Sequence, residues 1–262
     1  MPASLPTSAV QSGGLPHYEH PPLVEVRLGI RWLFDARVEH AVVGALVERL
    51  GPSWEYSSPV PPVIEGLPPS GTAPAATFHS VLRDQRLEIG SEGLSFTWDG
   101  RNGNIYPHYE SVRDGFVMAL DAWHDALTTL GVELPVITGW HLAYLNCMPQ
   151  GTVWNSMADC SFLRLLAPLP AGLPRLERCE ARWDFALDRC DARLTCDLRT
   201  TTGSLRDPQP CLWLRLSCQG GVTSDSGSLL EGLDFGREVI VNTFRQLMSP
   251  AANAYWQLVR GR

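Results

Sequence analysis

The stretch Pro21–Phe34, PPLVEVRLGIRWLF, decides the fold. From Val24 onward the even positions are apolar: Val24, Val26, Leu28, Ile30, Trp32 and Phe34. Between them lie Glu25, Arg27, Gly29 and Arg31. A period of two over this length specifies a strand with one face in a core and the other in water. At about 3.3 Å per residue it reaches roughly 35 Å, enough to cross a whole sheet. The remaining elements read as pieces laid against it.

Working outward, residues 1–20 are rich in Pro, Ser and Gly and are expected to form a disordered lead. Asp35 is placed to cap a helix over 36–50, with Val38, Val42 and Leu46 on one face. The proline-rich run 51–75 reads as an irregular connection. Leu87 and Ile89, the turn Ser91-Glu92-Gly93, then Leu94, Phe96 and Trp98 predict a hairpin. Residues 111–130 carry the stripe Val112, Phe116, Leu120, Trp123, Leu127, which predicts a helix opened by a Ser111–Asp114 capping box and closed by Gly131. The order then starts again. Val136–Met148 reads as a second long strand, followed by alternating runs at 183–187, 194–198 and 212–216. A helix from about Asp234 ends near Pro250. The expected fold class is α+β, with antiparallel sheets gripping long amphipathic helices in two similar halves, 21–131 and 132–262, that share a core.

Apolar content of 44% against 19% charged is that of an ordinary globular chain. The net charge of −7 gives no electrostatic reason to approach nucleic acid or an anionic membrane. Every one of the 21 basic residues is arginine, so a P-loop lysine, a Schiff-base lysine and a Ser-x-x-Lys pair are excluded. No run of eighteen apolar residues predicts a membrane span, and the start lacks the pattern of a signal peptide. The seven cysteines show no C-x-x-C pair. Reduced thiols in a cytoplasmic protein are the expectation.

Three patches resemble one family. They are Pro21-Pro22-Leu23-Val24-Glu25-Val26, then Gly139-Trp140-His141-Leu142-Ala143-Tyr144-Leu145-Asn146, and finally Ile240-Val241-Asn242-Thr243-Phe244-Arg245 followed by Ala254-Tyr255-Trp256. The family is a sporadically distributed group of bacterial and archaeal proteins of about this length, without an assigned activity. The resemblance implies a stand-alone prokaryotic protein, in a setting such as defence or mobile elements.

Few residues suggest chemistry. Asp184, Asp188 and Asp197 share the wet face of a hairpin and could act as paired acid and base or hold a cation. Arg182, Arg193, Arg199 and Arg215 share that face, and cross-strand charge pairing explains the aspartates more economically. Trp213 breaks phase between Leu212 and Leu214, and with Arg199 and Arg215 it could anchor a partner surface. His17-Tyr18-Glu19-His20 has no fourth ligand for zinc. Cys196 is in phase with Leu194 and Leu198 and should point inward. No nucleotide, hydrolase or zinc-protease motif occurs, so no catalytic, metal or cofactor residue is assigned. The expectation is a non-enzymatic binding or accessory protein whose ligand is another protein or a second copy of the chain. The alternatives are an enzyme built on the aspartate face and a small-molecule carrier.

Overall fold

The computed structural model describes residues 15–33, 40–57, 74–101, 103–156, 161–166, 176–189, 191–201, 209–222 and 228–259. In chain order the elements are β1 (His17–Tyr18), β2 (Leu23–Leu33), α1 (His40–Leu50), β3 (Trp54–Ser57), β4 (Ala76–Ser80), β5 (Gln85–Ile89), β6 (Gly93–Asp99) and α2 (Tyr109–Thr129). After these come β7 (Val136–Pro149), β8 (Glu180–Ala186), β9 (Arg193–Thr201), β10 (Cys211–Gly221), α3 (Leu229–Leu247), α4 (Pro250–Tyr255) and β11 (Leu258–Val259).

The fold is α+β. Nine strands make one antiparallel sheet in the order β3-β4-β5-β6-β2-β7-β10-β9-β8. The long strand of the opening stretch lies in its middle, between β6 and β7. Separate sheets were the expectation, but β2 and β7 pair from Leu23 to Leu33 and join everything into one ladder. On either side of this seam the outer strands close on it, β6 on β2 and β10 on β7.

Alternation then sorts the side chains. Val26, Leu28 and Ile30 are at most 1% exposed and face the helices. Tyr144, Leu142 and Trp140 stand opposite them on β7. The helix α2 packs on β6 and β2, α3 packs on β10 and β7, and α1 lies against α2 and β3. Trp32 stacks on Trp123 of α2 with centroids 5.8 Å apart. Trp140 stands under α3, and two glycines make room for it. A Cβ on Gly232 would lie 2.4 Å from Trp140 Nε1, and one on Gly236 2.8 Å from Cζ3.

Several boundaries differ from expectation. The Ser111–Asp114 box does not form, because α2 already begins at Tyr109 after His108 and has no side-chain cap. Packing holds that end instead. Tyr109 is buried and donates to Asp234 Oδ1 at 2.9 Å, and Arg237 pairs with Glu110 at 2.6 Å. The last long helix starts at Leu229, not Asp234, because Ser228 and Glu231 form a reciprocal capping box. Strand β3 lies within the run read as irregular, and β4 begins just after it. Asp35 and Val38 lie outside the described residues, as does 58–73. Within the lead, His17 and Tyr18 pair with Val259 and Leu258, and Tyr18 donates to Asn253 Oδ1 at 2.6 Å. Among the described residues no helix is long and apolar enough to cross a membrane.

Replacing Gly232 with Val drives two methyls into the Trp140 ring, a clash in a packed core. We expect a loss of about 1–3 kcal/mol, read as a lower urea midpoint with an unchanged slope. Stability equal to the parent chain would show that α3 can lift away from Trp140.

Candidate functional site

The candidate site is the face of the sheet turned away from the helices. On β2 this face carries Glu25, Arg27, Gly29 and Arg31, and the register extends it sideways. Gly29 lies opposite Ser95 and His141, and His141 opposite Gln219. Arg27 lies opposite Thr97 and Ala143, with Ser217, Thr195 and Asp184 following strand by strand. Glu25 lies opposite Leu145, and beyond it come Arg215, Asp197 and Arg182. Small residues, Gly29, Ala143, Ser95 and Ser217, therefore occupy the middle of the face. They leave a cleft of about 470 Å³ bordered by Arg27, Arg31, Arg182 and Arg215 and by Glu25, Glu88 and Asp197.

Glycine at position 29 is a requirement of the cleft floor. A Cβ there would sit 2.1 Å from His141 Cε1, so the imidazole lies directly against the β2 backbone. Burial, reinforced by the charges of Arg27 and Arg31, pushes the His141 pKa down to about 3. The ring is neutral at ordinary pH.

The charges of this face are held in place. Glu88, 4% exposed, meets Arg27 Nη2 at 3.0 Å and Arg86 Nε at 3.4 Å. Arg27 Nη2 also donates to Ser95 Oγ at 3.0 Å. Glu25, equally buried, lies 3.3 Å from Arg101, which also pairs with Asp99. Across the cleft, Arg182 meets Asp184 at 3.1 Å and Asp197 at 3.8 Å, and Thr195 donates to Asp184 at 2.6 Å. The bonds from Arg182 and then Thr195 hold the Asp184 carboxyl below the usual carboxylate range. Burial pushes the Arg215 guanidinium below its ordinary value, with Glu25 and Asp197 opposing and Arg27 and Arg199 adding to the shift.

Asp184 and Asp197 thus share one face through one arginine, while Asp188 lies past the end of β8 and does not join them. Among the described residues no group of three or more His, Cys, Asp or Glu is placed to hold a metal. Trp213 is on the polar face, opposite Cys147 and Arg199, with Arg215 two residues along the same strand. Its indole N–H donates to Thr201 Oγ1 at 3.1 Å. Cys196 and Cys218 are buried on the other face, and burial pushes both thiols up to about 12, away from nucleophilic use.

Sequence reasoning passed over Glu25, Arg27 and Glu88. The first two were visible as the polar phase of β2. Their partners were not, because register across three strands decides them. Comparison with family models, curated proteins and solved structures gives no match.

The low His141 pKa has a thermodynamic consequence. Its ordinary value is 6.5, so between that pH and about 3 the unfolded chain takes up a proton that the folded chain refuses. This contribution to stability is present above pH 6.5 and is lost as pH falls toward 3. The His141 Hε1 resonance should hold its neutral position from pH 8 to pH 5, and His141→Gln should flatten the fall of Tm with acid over that range. A resonance that titrates near 6.5 would contradict the burial.

Proposed function

We propose that the protein is a non-enzymatic binding protein that receives a charged segment of a partner protein in the cleft on the helix-free face. The observation that carries this reading is the set of fixed charges of both signs around a floor of small residues. Such a surface recognises by electrostatic complementarity. It favours a partner whose charges match in position and repels one whose charges do not. Ion pairs already formed, as in Arg27–Glu88 and Arg182–Asp184, reduce the ordering that binding must still impose. Trp213 with Arg199 and Arg215 extends the same face and adds the aromatic and arginine chemistry common at binding hot spots.

The enzymatic alternative fares less well. Asp184 and Asp197 are engaged by Arg182 and Thr195, and the imidazole that lines the same cleft is neutral and takes up a proton only in strong acid. An accessory role in a prokaryote, as the family resemblance implies, and a cytoplasmic location belong with the same proposal.

Ala143→Trp and Ser217→Trp fill the cleft from its floor. A partner that co-purifies stoichiometrically with the parent protein from its own host should bind either variant about tenfold or more weakly. Met118→Ala, on the exposed side of α2, should bind unchanged. Rising salt should weaken the parent complex. A partner held equally by the filled variants binds elsewhere and removes the cleft from the proposal.

A further inference from the structure

The opposite face of the sheet holds a second feature, independent of the charged cleft. Asn146 lies on the helix-facing side of β7, in phase with Tyr144 and Met148, yet it is polar and only 4% exposed. Its Nδ2 donates to the Leu214 carbonyl at 3.2 Å, which fixes the amide orientation. Its Oδ1 accepts no hydrogen bond from any described residue. The carbonyl end of the amide is therefore free to accept a hydrogen bond, and it borders open space rather than the sealed core. Asn146 lines a partly open pocket of about 90 Å³ between β7, α3, the start of α2 and the segment around Tyr18.

Other polar groups converge on the same space. The Tyr106 and Tyr144 hydroxyls are 3.5 Å apart, too long for a good O–H···O bond and suitable for sharing one acceptor between them. Burial raises both pKa values, that of Tyr106 to about 12, so both hydroxyls keep their protons and can donate. Arg237 also lines the cavity, but its charge is taken up by Glu110 at 2.6 Å and by the Tyr109 ring, 4.6 Å from the guanidinium. Ile240, Val241 and Phe244 supply the apolar wall.

The backbone is strained to build this arrangement. His108 sits at φ 69° and ψ 159°, a region that only glycine enters readily, and it lies between Tyr106 and Tyr109 as the chain turns into α2. Strain of this kind gathers at ligand sites, where the surroundings hold the backbone in place.

We propose that this cavity binds a small uncharged carboxamide with a short apolar tail. Its carbonyl would accept from Tyr106 and Tyr144, its N–H would donate to Asn146 Oδ1, and its tail would lie against Val241 and Phe244. A volume of about 90 Å³ suits a small ligand of about five non-hydrogen atoms. The polar groups favour a neutral head over an anion or a cation.

The test is saturation-transfer NMR on the full chain with three matched probes at millimolar concentration: propionamide, propionate and propylamine. Propionamide should receive saturation and the two charged probes should not. Tyr144→Phe, which deletes one hydroxyl, should weaken propionamide about tenfold or more, and Val241→Phe, which fills the cavity without touching its polar groups, should abolish the signal. Circular dichroism matching the parent establishes that each variant is folded. Absence of transfer from propionamide to the parent protein would mean that the cavity holds water only. Preference for propionate or propylamine, or equal binding by folded Tyr144→Phe and Val241→Phe, would equally overturn the assignment. The cleft variants Ala143→Trp and Ser217→Trp leave this cavity intact, so failure here and failure of the cleft proposal are read separately.

Discussion

The pairing of β2 with β7 is the constraint on which the rest depends. Each strand is long, each lies in the middle of the sheet, and one register fixes the content of both faces at once. With Ile30 opposite Trp140 and Leu28 opposite Leu142, the apolar phase meets the helices. Arg27 and Gly29 are then left facing the other way, with Ala143 and His141. A slip of one residue would put Arg27 under α2 and Ile30 in the cleft, because side chains alternate with a period of two. Each fully buried leucine or isoleucine contributes about 1.5–3 kcal/mol, so the correct register wins by a wide margin over the length of the seam. Breaks in register appear only toward its ends, between Leu23 and Glu25 and between Arg31 and Trp32.

A face this long, turned away from all three long helices, has to manage its charges without a second layer of apolar residues. It does so with arginine. Glu88 and Glu25 are nearly buried and would be costly if left alone. Each is matched by an arginine reaching across from another strand or a turn. The guanidinium fork suits such bridging. Arg182 spans two aspartates, Asp184 through Nε and Asp197 through Nη1. A lysine ammonium could hold one such carboxylate but lacks the planar fork that bridges two strands. The all-arginine composition, which by itself only excludes lysine chemistry, acquires a structural use here.

What could be read from the sequence follows the length of the signal. The central strands, the hairpin at 85–99 and the helices carry periodic patterns over many residues, and they appear close to their expected places. Strands β3 and β4 did not announce themselves, since WEYS and ATFHS are too short to show a period and owe their conformation to the neighbour each pairs with. The start of α2 was misplaced for a related reason. The Ser111–Asp114 spacing offers a local cap, but the contacts of Tyr109 with Asp234 and of Glu110 with Arg237 are tertiary and begin the helix two residues earlier. Trp213, Arg199 and Arg215 were legible as one surface because a period of two places them together. The Arg27–Glu88 pair and the cavity around Asn146 were not, because each joins segments far apart in the chain. The one trace that sequence reading could have used was Asn146 itself, an amide standing in the apolar phase of β7.

That same strand explains why the two candidate sites are separate. Along β7, His141 and Ala143 face the charged cleft, while Leu142, Tyr144 and Asn146 face the helices. Neighbouring residues therefore serve opposite surfaces, and the backbone between them is hydrogen-bonded to β2 on one side and β10 on the other. A strand held on both edges has little freedom to move toward either face. A bulky side chain added at Ala143 must displace solvent or ligand in the cleft rather than push the strand into the core, and loss of the Tyr144 hydroxyl must act within the cavity. The sheet is both the scaffold of each site and the partition between them, so a substitution on β7 reports on the face to which its side chain belongs.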